Sequence, residues 1–220
     1  MARRVPRELS ARPLQGFKLA YPMLSADGTR TGFSGVTVGR GHVYLAVDDA
    51  VCVQGSRHEP PSRWCDCGFY CFHEASSAYD LACDPDNAGA VLLEVAVSGR
   101  YRRHERGLRY SRQRVRAVRL GRCACGRTAQ LLSDTGAGTV GWRRLLPVCP
   151  SCTGTRPVLD PAEFGRLTGR PVTVSTEPPD TAPQPDEAGA VAVLTAELAV
   201  LHARLDAMQA SLDALIRRGD

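Results

Sequence analysis

Two close pairs of cysteines have the spacing of metal ligands. Cys123-Ala-Cys125-Gly126 is followed downstream by Cys149-Pro-Ser-Cys152. Two such pairs joined by a hairpin-length segment are typical of a zinc ribbon, in which each pair lies on a tight turn and four sulfurs surround one Zn²⁺. The first pair is CxC rather than the commoner CxxC. The sequence predicts a zinc site of Cys123, Cys125, Cys149 and Cys152.

A second group of thiol and imidazole side chains lies upstream, at Cys52, His58, Cys65 and Cys67. Cys65-Asp-Cys67-Gly68 repeats the CxCG form of the first pair. Two thiolates that bind one ion from such a short segment need a curled backbone, and a glycine directly after the pair permits it. These residues are therefore candidate ligands of a second zinc ion.

Cys71, His73 and Cys83 compete for those ligand roles. Free cysteine is among the most buried residue types, so packing in the core is the preferred interpretation of Cys71 and Cys83. His73 is an alternative ligand if His58 points away from the group.

This part of the chain resembles a recurrent cysteine-rich module of uncharacterised bacterial proteins. The resemblance is carried by AVCVQGSRHEPPSRWCDCGFY and VLLEVAVSGRYRRHERGLRYSRQRVRAVRL, in which a CxCG follows a histidine and a proline, and a strand runs into G-R-x-x-x-H-E-x-G-x-R. It covers roughly residues 35–120 and implies a family but no activity. In that module the position of Cys71 is small and apolar, which favours Cys52, His58, Cys65 and Cys67 as the ligands.

The segment from Arg100 to Arg127 holds eleven arginines and a single acid, Glu105. Guanidinium groups with interleaved aromatic rings suit a phosphate backbone and unstacked bases. Only one of the 28 basic residues is lysine, however, and an arginine-rich, alanine-rich composition also reflects a high-GC bacterial genome. The candidate nucleic-acid-binding residues are Arg100, Arg102, Arg103, Arg106, Arg109, Arg112, Arg114 and Arg116.

The elements that must position these residues are short strands. Val36, Val38, Val43, Leu45 and Val47 alternate with polar or small residues, which predicts a β-meander over residues 16–53. A buried strand follows over residues 90–98 and an exposed strand over 114–120, where a short helix is the alternative. A hairpin turn is predicted at Gly107, and a second hairpin over 128–148 has its turn in the glycine-rich residues 133–141.

Two short helices are predicted. One covers residues 74–83, and the other begins after Asp160, which precedes Pro161 as an N-cap and first-turn pair. The adjacent carboxylates Asp48 and Asp49 suit a turn better than paired acid–base work. The fold class is a mostly β, small mixed β/α zinc-bound domain with a C-terminal coiled-coil helix.

The tail has a heptad pattern, with apolar residues spaced alternately three and four apart from Val191. This predicts a coiled coil that pairs with itself or with a partner helix, although the stripe would also suit packing on the chain's own core. The seam residues proposed for oligomerisation are Leu194, Leu198, Leu201, Leu205, Met208, Leu212 and Leu215.

Five segments result: a basic arm (1–14), a β-rich Cys/His zinc domain (15–120), a zinc-ribbon-like segment (121–174), a proline-rich acidic linker (175–187) and the coiled-coil helix (188–218). The N-terminus lacks an apolar run for export or membrane insertion, so a cytoplasmic location is expected, where cysteines stay reduced. The expected function is non-enzymatic binding of nucleic acid. The alternatives are a protein adaptor and, less favoured, an enzyme of unfamiliar type.

Overall fold

The computed structural model describes residues 13–37, 41–55 and 57–176, and within them the protein is mostly β, as predicted. The helices are α1 (Ala75–Ala82) and α2 (Pro161–Leu167), with short 3-10 turns at Pro85–Asn87 and Pro150–Cys152. The strands are β1 (Leu14–Ser25), β2 (Thr31–Gly35), β3 (Val43–Tyr44), β4 (Val47–Asp49), β5 (Phe69–Phe72), β6 (Val91–His104), β7 (Gly107–Arg119), β8 (Leu131–Thr139), β9 (Trp142–Val148), β10 (Val158–Leu159) and β11 (Thr173–Ser175).

All the strands belong to one sheet, which closes on itself in part. β1 pairs with β6, β6 with β7, β7 with β5, and β5 with β1 through Phe17 and Phe72. The β6–β7 ladder shifts register at Glu94/Val95 and again at Ser98/Tyr101, and such irregularities allow long strands to curve. The result is a barrel-like enclosure for the core.

The predicted meander is confirmed for β1, β2 and β3, which pair in sequence order. It is wrong for β4, which pairs antiparallel with β7. Asp48 closes the turn before β4, because its carboxylate accepts a hydrogen bond from Leu45 N at 2.9 Å. The turn role predicted for this carboxylate is confirmed.

A chain of aromatic rings runs through the core inside the enclosure. Phe164, Phe33, Tyr44, Phe69 and Tyr110 follow one another with ring centroids 5.2–6.1 Å apart. Each ring comes from a different element, so the contacts tie β2, β3, β5, β7 and α2 together. Aromatic contacts at such distances add to the stabilisation from burial alone.

The arginine-rich segment forms most of a long hairpin, with its turn at Glu105 and Arg106, where Gly107 predicted one. A Cβ at Gly107 would overlap the carbonyl of Cys71, because β7 passes directly against β5 there. The exposed strand predicted over residues 114–120 is the second half of β7.

The second predicted hairpin is β8–β9, but its turn is much tighter than expected. The glycine-rich residues 133–139 belong to β8, and only Val140 and Gly141 form the turn. A Cβ at Gly138 would overlap the backbone of Trp142, so its glycine serves close strand contact rather than a loop. β9 also pairs with β1, which joins the predicted segments 15–120 and 121–174 in one sheet.

The two helices match their predictions. α1 occupies the predicted 74–83 window, and Asp160 caps α2 by accepting a hydrogen bond from Glu163 N at 2.8 Å. The sheet extends slightly past the predicted limits, because Leu14 begins β1 and Ser175 ends β11.

Among residues 13–37, 41–55 and 57–176, no helix is long and apolar enough to cross a membrane. The predicted coiled coil, its seam residues and nearly all of the basic arm and linker lie outside the described ranges.

Candidate metal centres

The first metal centre is formed by the long connection between β4 and β5. It brings together the predicted ligands Cys52, His58, Cys65 and Cys67, whose donor atoms all lie within 4.8 Å of one another. Gly68 adopts φ +121°, a backbone conformation that side-chain-bearing residues rarely adopt, and it turns the chain from the CxC pair into β5. The curl expected after Cys67 is confirmed.

The separations within this group are those of ligands around one ion. Zinc–sulfur bonds of about 2.3 Å in a tetrahedron place neighbouring sulfurs about 3.8 Å apart. Cys52 Sγ and Cys65 Sγ are 3.8 Å apart, and His58 Nε2 lies 3.1 Å from Cys67 Sγ, somewhat closer than a shared ion would hold them. The group could hold a metal ion after a small outward shift of the imidazole.

Arg109 fastens this loop to the sheet. Its side chain lies on β7 with only 6% of the residue exposed, and its guanidinium donates to Ser62 O at 2.6 Å and to Cys65 O at 2.7 Å. Asp66 supplies an additional carboxylate at 3.7 Å. Charged donors make strong hydrogen bonds to carbonyls, so Arg109 holds the backbone on both sides of Trp64 in place.

The second metal centre joins two turns at one end of the β8–β9 hairpin. Cys123, Cys125, Cys149 and Cys152 have all their sulfurs within 4.8 Å, and Cys125 Sγ lies 3.6 Å from Cys149 Sγ. Gly126 has φ +85° and donates its N–H to Cys123 O, which closes the first turn.

The other turn of this centre is the 3-10 turn that begins at Pro150. Cys152 N donates to Cys149 O at 3.0 Å, which brings the two sulfurs of the CxxC pair to the same side of the chain. All four predicted ligands are therefore together, and they could hold a second metal ion.

Crowding of the four sulfurs changes their protonation. Hydrogen bonds from the backbone N–H groups of Cys125 and Cys149 lower the pKa of Cys123 to about 6. Hydrogen bonds with the neighbouring sulfurs of Cys125 and Cys149 raise the pKa of Cys152 to about 12. Cys123 therefore favours the thiolate form and Cys152 the protonated form, and a divalent cation bound by this group would displace the proton of Cys152.

The competing residues are outside both groups. Cys71 is buried, as predicted, and burial raises the pKa of its thiol to about 11. Cys83 is exposed at the end of α1, so the prediction that it packs in the core is wrong. Ala78 is the buried residue of α1, whereas Cys83 follows the last residue of the helix. His73 Nε2 lies 3.2 Å from His104 O, and the imidazole in the first group of donors is that of His58.

The arginines proposed for nucleic acid differ in accessibility. The prediction is wrong for Arg109, whose guanidinium is buried under the connection between β4 and β5. This connection, which carries Cys52, His58, Cys65 and Cys67, is called the first metal loop. Arg100 forms an ion pair with Glu59, and Arg112 forms one with Asp49 at 2.6 Å. Arg106 is exposed near the β6–β7 turn, 3.7 Å from Asp80.

Three exposed arginines form a row on β7. Arg112, Arg114 and Arg116 are all exposed and alternate with the buried Gln113 and Val115, so they share the outer face of the strand. Arg102 on β6 is half-buried. Within the described part of the chain, Arg102, Arg114 and Arg116 make no ion pair.

Sequence reasoning missed three residues that matter here: Lys18, Trp64 and the tethering role of Arg109. Lys18 stands between Phe17 and Leu19 in an apolar strand, and a lysine in such a place could have been recognised as a buried charge. Trp64 is 88% exposed on the first metal loop. Nothing local in the sequence marks Arg109, because its partners are more than forty residues away.

Comparisons of the chain with protein-family models, with curated proteins and with solved structures found no match. The assignment of both metal centres therefore rests on their own geometry and donor chemistry.

Proposed function

We propose that this chain is a zinc-stabilised binding protein in which both metal ions are structural. The observation that carries the proposal is that each centre has four soft protein donors: three sulfurs and an imidazole in the first, and four sulfurs in the second. Thiolate and imidazole donors favour zinc, and four protein ligands fill a tetrahedral site, whereas catalytic zinc keeps an open position. Zinc here would hold loops together.

Elemental analysis of protein purified without chelator or added metal tests the zinc assignment. The expected result is two zinc ions per chain. One zinc per chain would confine the proposal to a single centre, and a different metal or none would overturn it.

We further infer that the bound target is a nucleic acid. Among the residues that the structure describes, no carboxylate forms an ion pair with Arg114 or Arg116, and Arg102 lies directly opposite Arg109 in the β6–β7 ladder. Arg109 fastens the loop that carries Trp64, an aromatic side chain that is 88% exposed. Arginine with an accessible indole suits a phosphate backbone and an unstacked base of a single strand.

A salt titration of single-stranded oligonucleotide binding tests this target. Phosphate contacts make log K fall linearly with log salt, by about 0.7 per neutralised phosphate on a single strand. Arg102, Arg114 and Arg116 changed together to Gln should reduce that slope by about 2. The matched control changes Arg156, Arg166 and Arg170 to Gln, which removes the same charge from exposed positions elsewhere and should leave the slope unchanged.

Equal slopes for wild type and both triple variants would contradict the nucleic-acid proposal. Trp64→Phe is a second probe, because it keeps an aromatic ring for stacking, whereas Trp64→Ala removes it. The expected loss for Trp64→Ala is about 1–3 kcal/mol of binding free energy.

A protein adaptor is the second candidate, and exposed apolar side chains on the first metal loop favour it. Val51, Val53 and Trp64 are all exposed within this one connection. Exposed apolar groups that lie close together are typical of protein contact sites. Partner binding that depends on these side chains and is insensitive to salt would favour the adaptor.

The proposed role of residues 188–218 is to join copies of the chain, so that several weak contacts act together on one target. Light scattering of the full chain and of a variant that ends at residue 187 tests this role. The full chain should form an oligomer and the shortened variant a monomer.

A further inference from the structure

A cavity of about 430 Å³ opens between β1, β5 and the first metal loop. Its volume lies in the range of small-molecule sites. Most of its walls are apolar, and include Leu19, Tyr44, Phe69, Phe72 and Leu108. Cys67 and Gly68 form part of the wall, so the first metal loop borders the cavity through one candidate ligand, whereas Cys52, His58 and Cys65 do not line it.

Lys18 lines this cavity and is the only lysine of the chain. Only 7% of the residue is exposed. Its Nζ lies 3.4 Å from Gln113 Oε1, 4.5 Å from the centre of the Tyr44 ring and 5.0 Å from that of Phe69. These contacts are weak or partial partners for an ammonium group.

No carboxylate of the described residues lies within ion-pair distance of Lys18 Nζ. The other titratable groups close to it are the Cys71 thiol and the Tyr44 and Tyr110 hydroxyls. Burial raises the pKa of all three, so they remain neutral at pH 7 and supply no negative charge.

Buried ammonium groups are rare unless an opposite charge accompanies them. Burial lowers the pKa of Lys18 to about 8, so the amine still carries its proton at pH 7. Lys18 is therefore a buried charge beside an apolar cavity, with no counter-ion among the described residues. This arrangement is expected when a bound ligand supplies the counter-ion.

We propose that the cavity binds a small molecule with an apolar body and a carboxylate that pairs with Lys18. The rest of the lining agrees with this charge. Arg106 also lines the cavity and Asp66 is the single acid among its lining residues, so with Lys18 the lining carries a net positive charge that favours an anion. The apolar walls receive the body of the ligand. The proposal goes beyond the proposed function and does not depend on nucleic-acid binding.

Isothermal titration of the full zinc-loaded chain with hexanoate, decanoate and 4-phenylbutyrate tests the proposal. At least one should bind saturably at millimolar concentration or below, and the matching primary amide should bind at least about tenfold more weakly, because it brings no charge. Absence of saturable binding by all three acids would overturn the proposal, as would equal affinity for acid and amide.

The matched variants are Lys18→Met, which keeps the length of the side chain, and Arg156→Met, which removes an exposed charge outside the cavity. Lys18→Met should lose at least about tenfold in affinity for the acid, while Arg156→Met should bind as the wild type does. Comparable affinity of the Lys18→Met variant and the wild type would refute the pairing.

The single lysine gives a direct readout. Selective ¹⁵N labelling of lysine produces one side-chain Nζ signal, and its pH titration reports Lys18 alone. Bound carboxylate should raise the pKa of Lys18 by about one unit or more, whereas the amide should not. An unchanged pKa in the presence of bound acid would show that the acid lies elsewhere.

Discussion

Replacing Lys18 by Met should stabilise the ligand-free protein at neutral pH. In the folded chain, burial holds the pKa of Lys18 at about 8, against an ordinary value of 10.5. Each unit corresponds to about 1.4 kcal/mol, so the charged amine costs the folded state about 3 kcal/mol relative to the neutral amine. Methionine has a similar length and no charge to desolvate.

The pH dependence of this effect has a definite sign. Because the folded pKa is lower than the unfolded one, the unfolded chain binds more protons between pH 8 and pH 10.5. The wild-type protein therefore gains stability from Lys18 as pH rises through that window, and loses it as pH falls. Of the total change of about 3 kcal/mol in the free energy of unfolding, about 2.5 kcal/mol occurs between about pH 7 and pH 10.

Urea denaturation of the zinc-loaded wild type and Lys18→Met proteins, at matched pH values from neutral to alkaline, measures this effect. The thiols and tyrosines titrate in both proteins, so the difference between their free energies of unfolding isolates Lys18. That difference should favour Met at pH 7 and shrink by about 2.5 kcal/mol at about pH 10. A constant difference, or one that grows with pH, would show that Lys18 is solvated in the folded state.

Three further predictions concern the metal centres and the strand contact beside them. Cys149→Ser and Cys67→Ser should each lower the zinc content by one ion per chain, and a variant that keeps full metal would contradict its ligand assignment. Arg109→Leu should weaken zinc binding at the first centre by at least about tenfold in a chelator competition and spare the second, because two carbonyls lose a charged donor. Gly16→Ala should lower the free energy of unfolding in urea by about 1–3 kcal/mol, because the added Cβ would overlap Cys71 Sγ. Adding Cys71→Ala should restore part of that loss. Equal stability of the Gly16→Ala variant and the wild type would mean that β1 and β5 lie farther apart.

Features that depend on neighbouring residues in the chain could be predicted from the sequence. Each CxCG required a backbone turn that its glycine permits, and both Gly68 and Gly126 adopt positive φ. Asp160 before Pro161 identified the start of α2 because capping involves only the next three residues. The grouping of the candidate ligands followed in the same way from spacing, since thiolates that bind one ion must be held close together.

Features that depend on distant residues could not be predicted. The burial of Arg109 follows from a loop that folds over β7 from forty residues upstream, and no local pattern separates it from the exposed Arg112 or Arg114. The pairing of β4 with β7 and of β9 with β1 is likewise set by closure of the sheet. Alternation of apolar residues shows that a strand exists, but not which neighbour it selects.

The pairing of β9 with the last residues of β1 also affects how the protein can be cut. Met23, Leu24 and Ser25 hydrogen-bond along one edge to residues 142–144. A fragment that ends near residue 120 would leave that edge bare, and bare edges recruit other strands. The same edge makes the chain suited to fragment complementation. In such an experiment a separate fragment that carries β8 and β9 would pair with the free edge of β1 through β9 and restore the sheet.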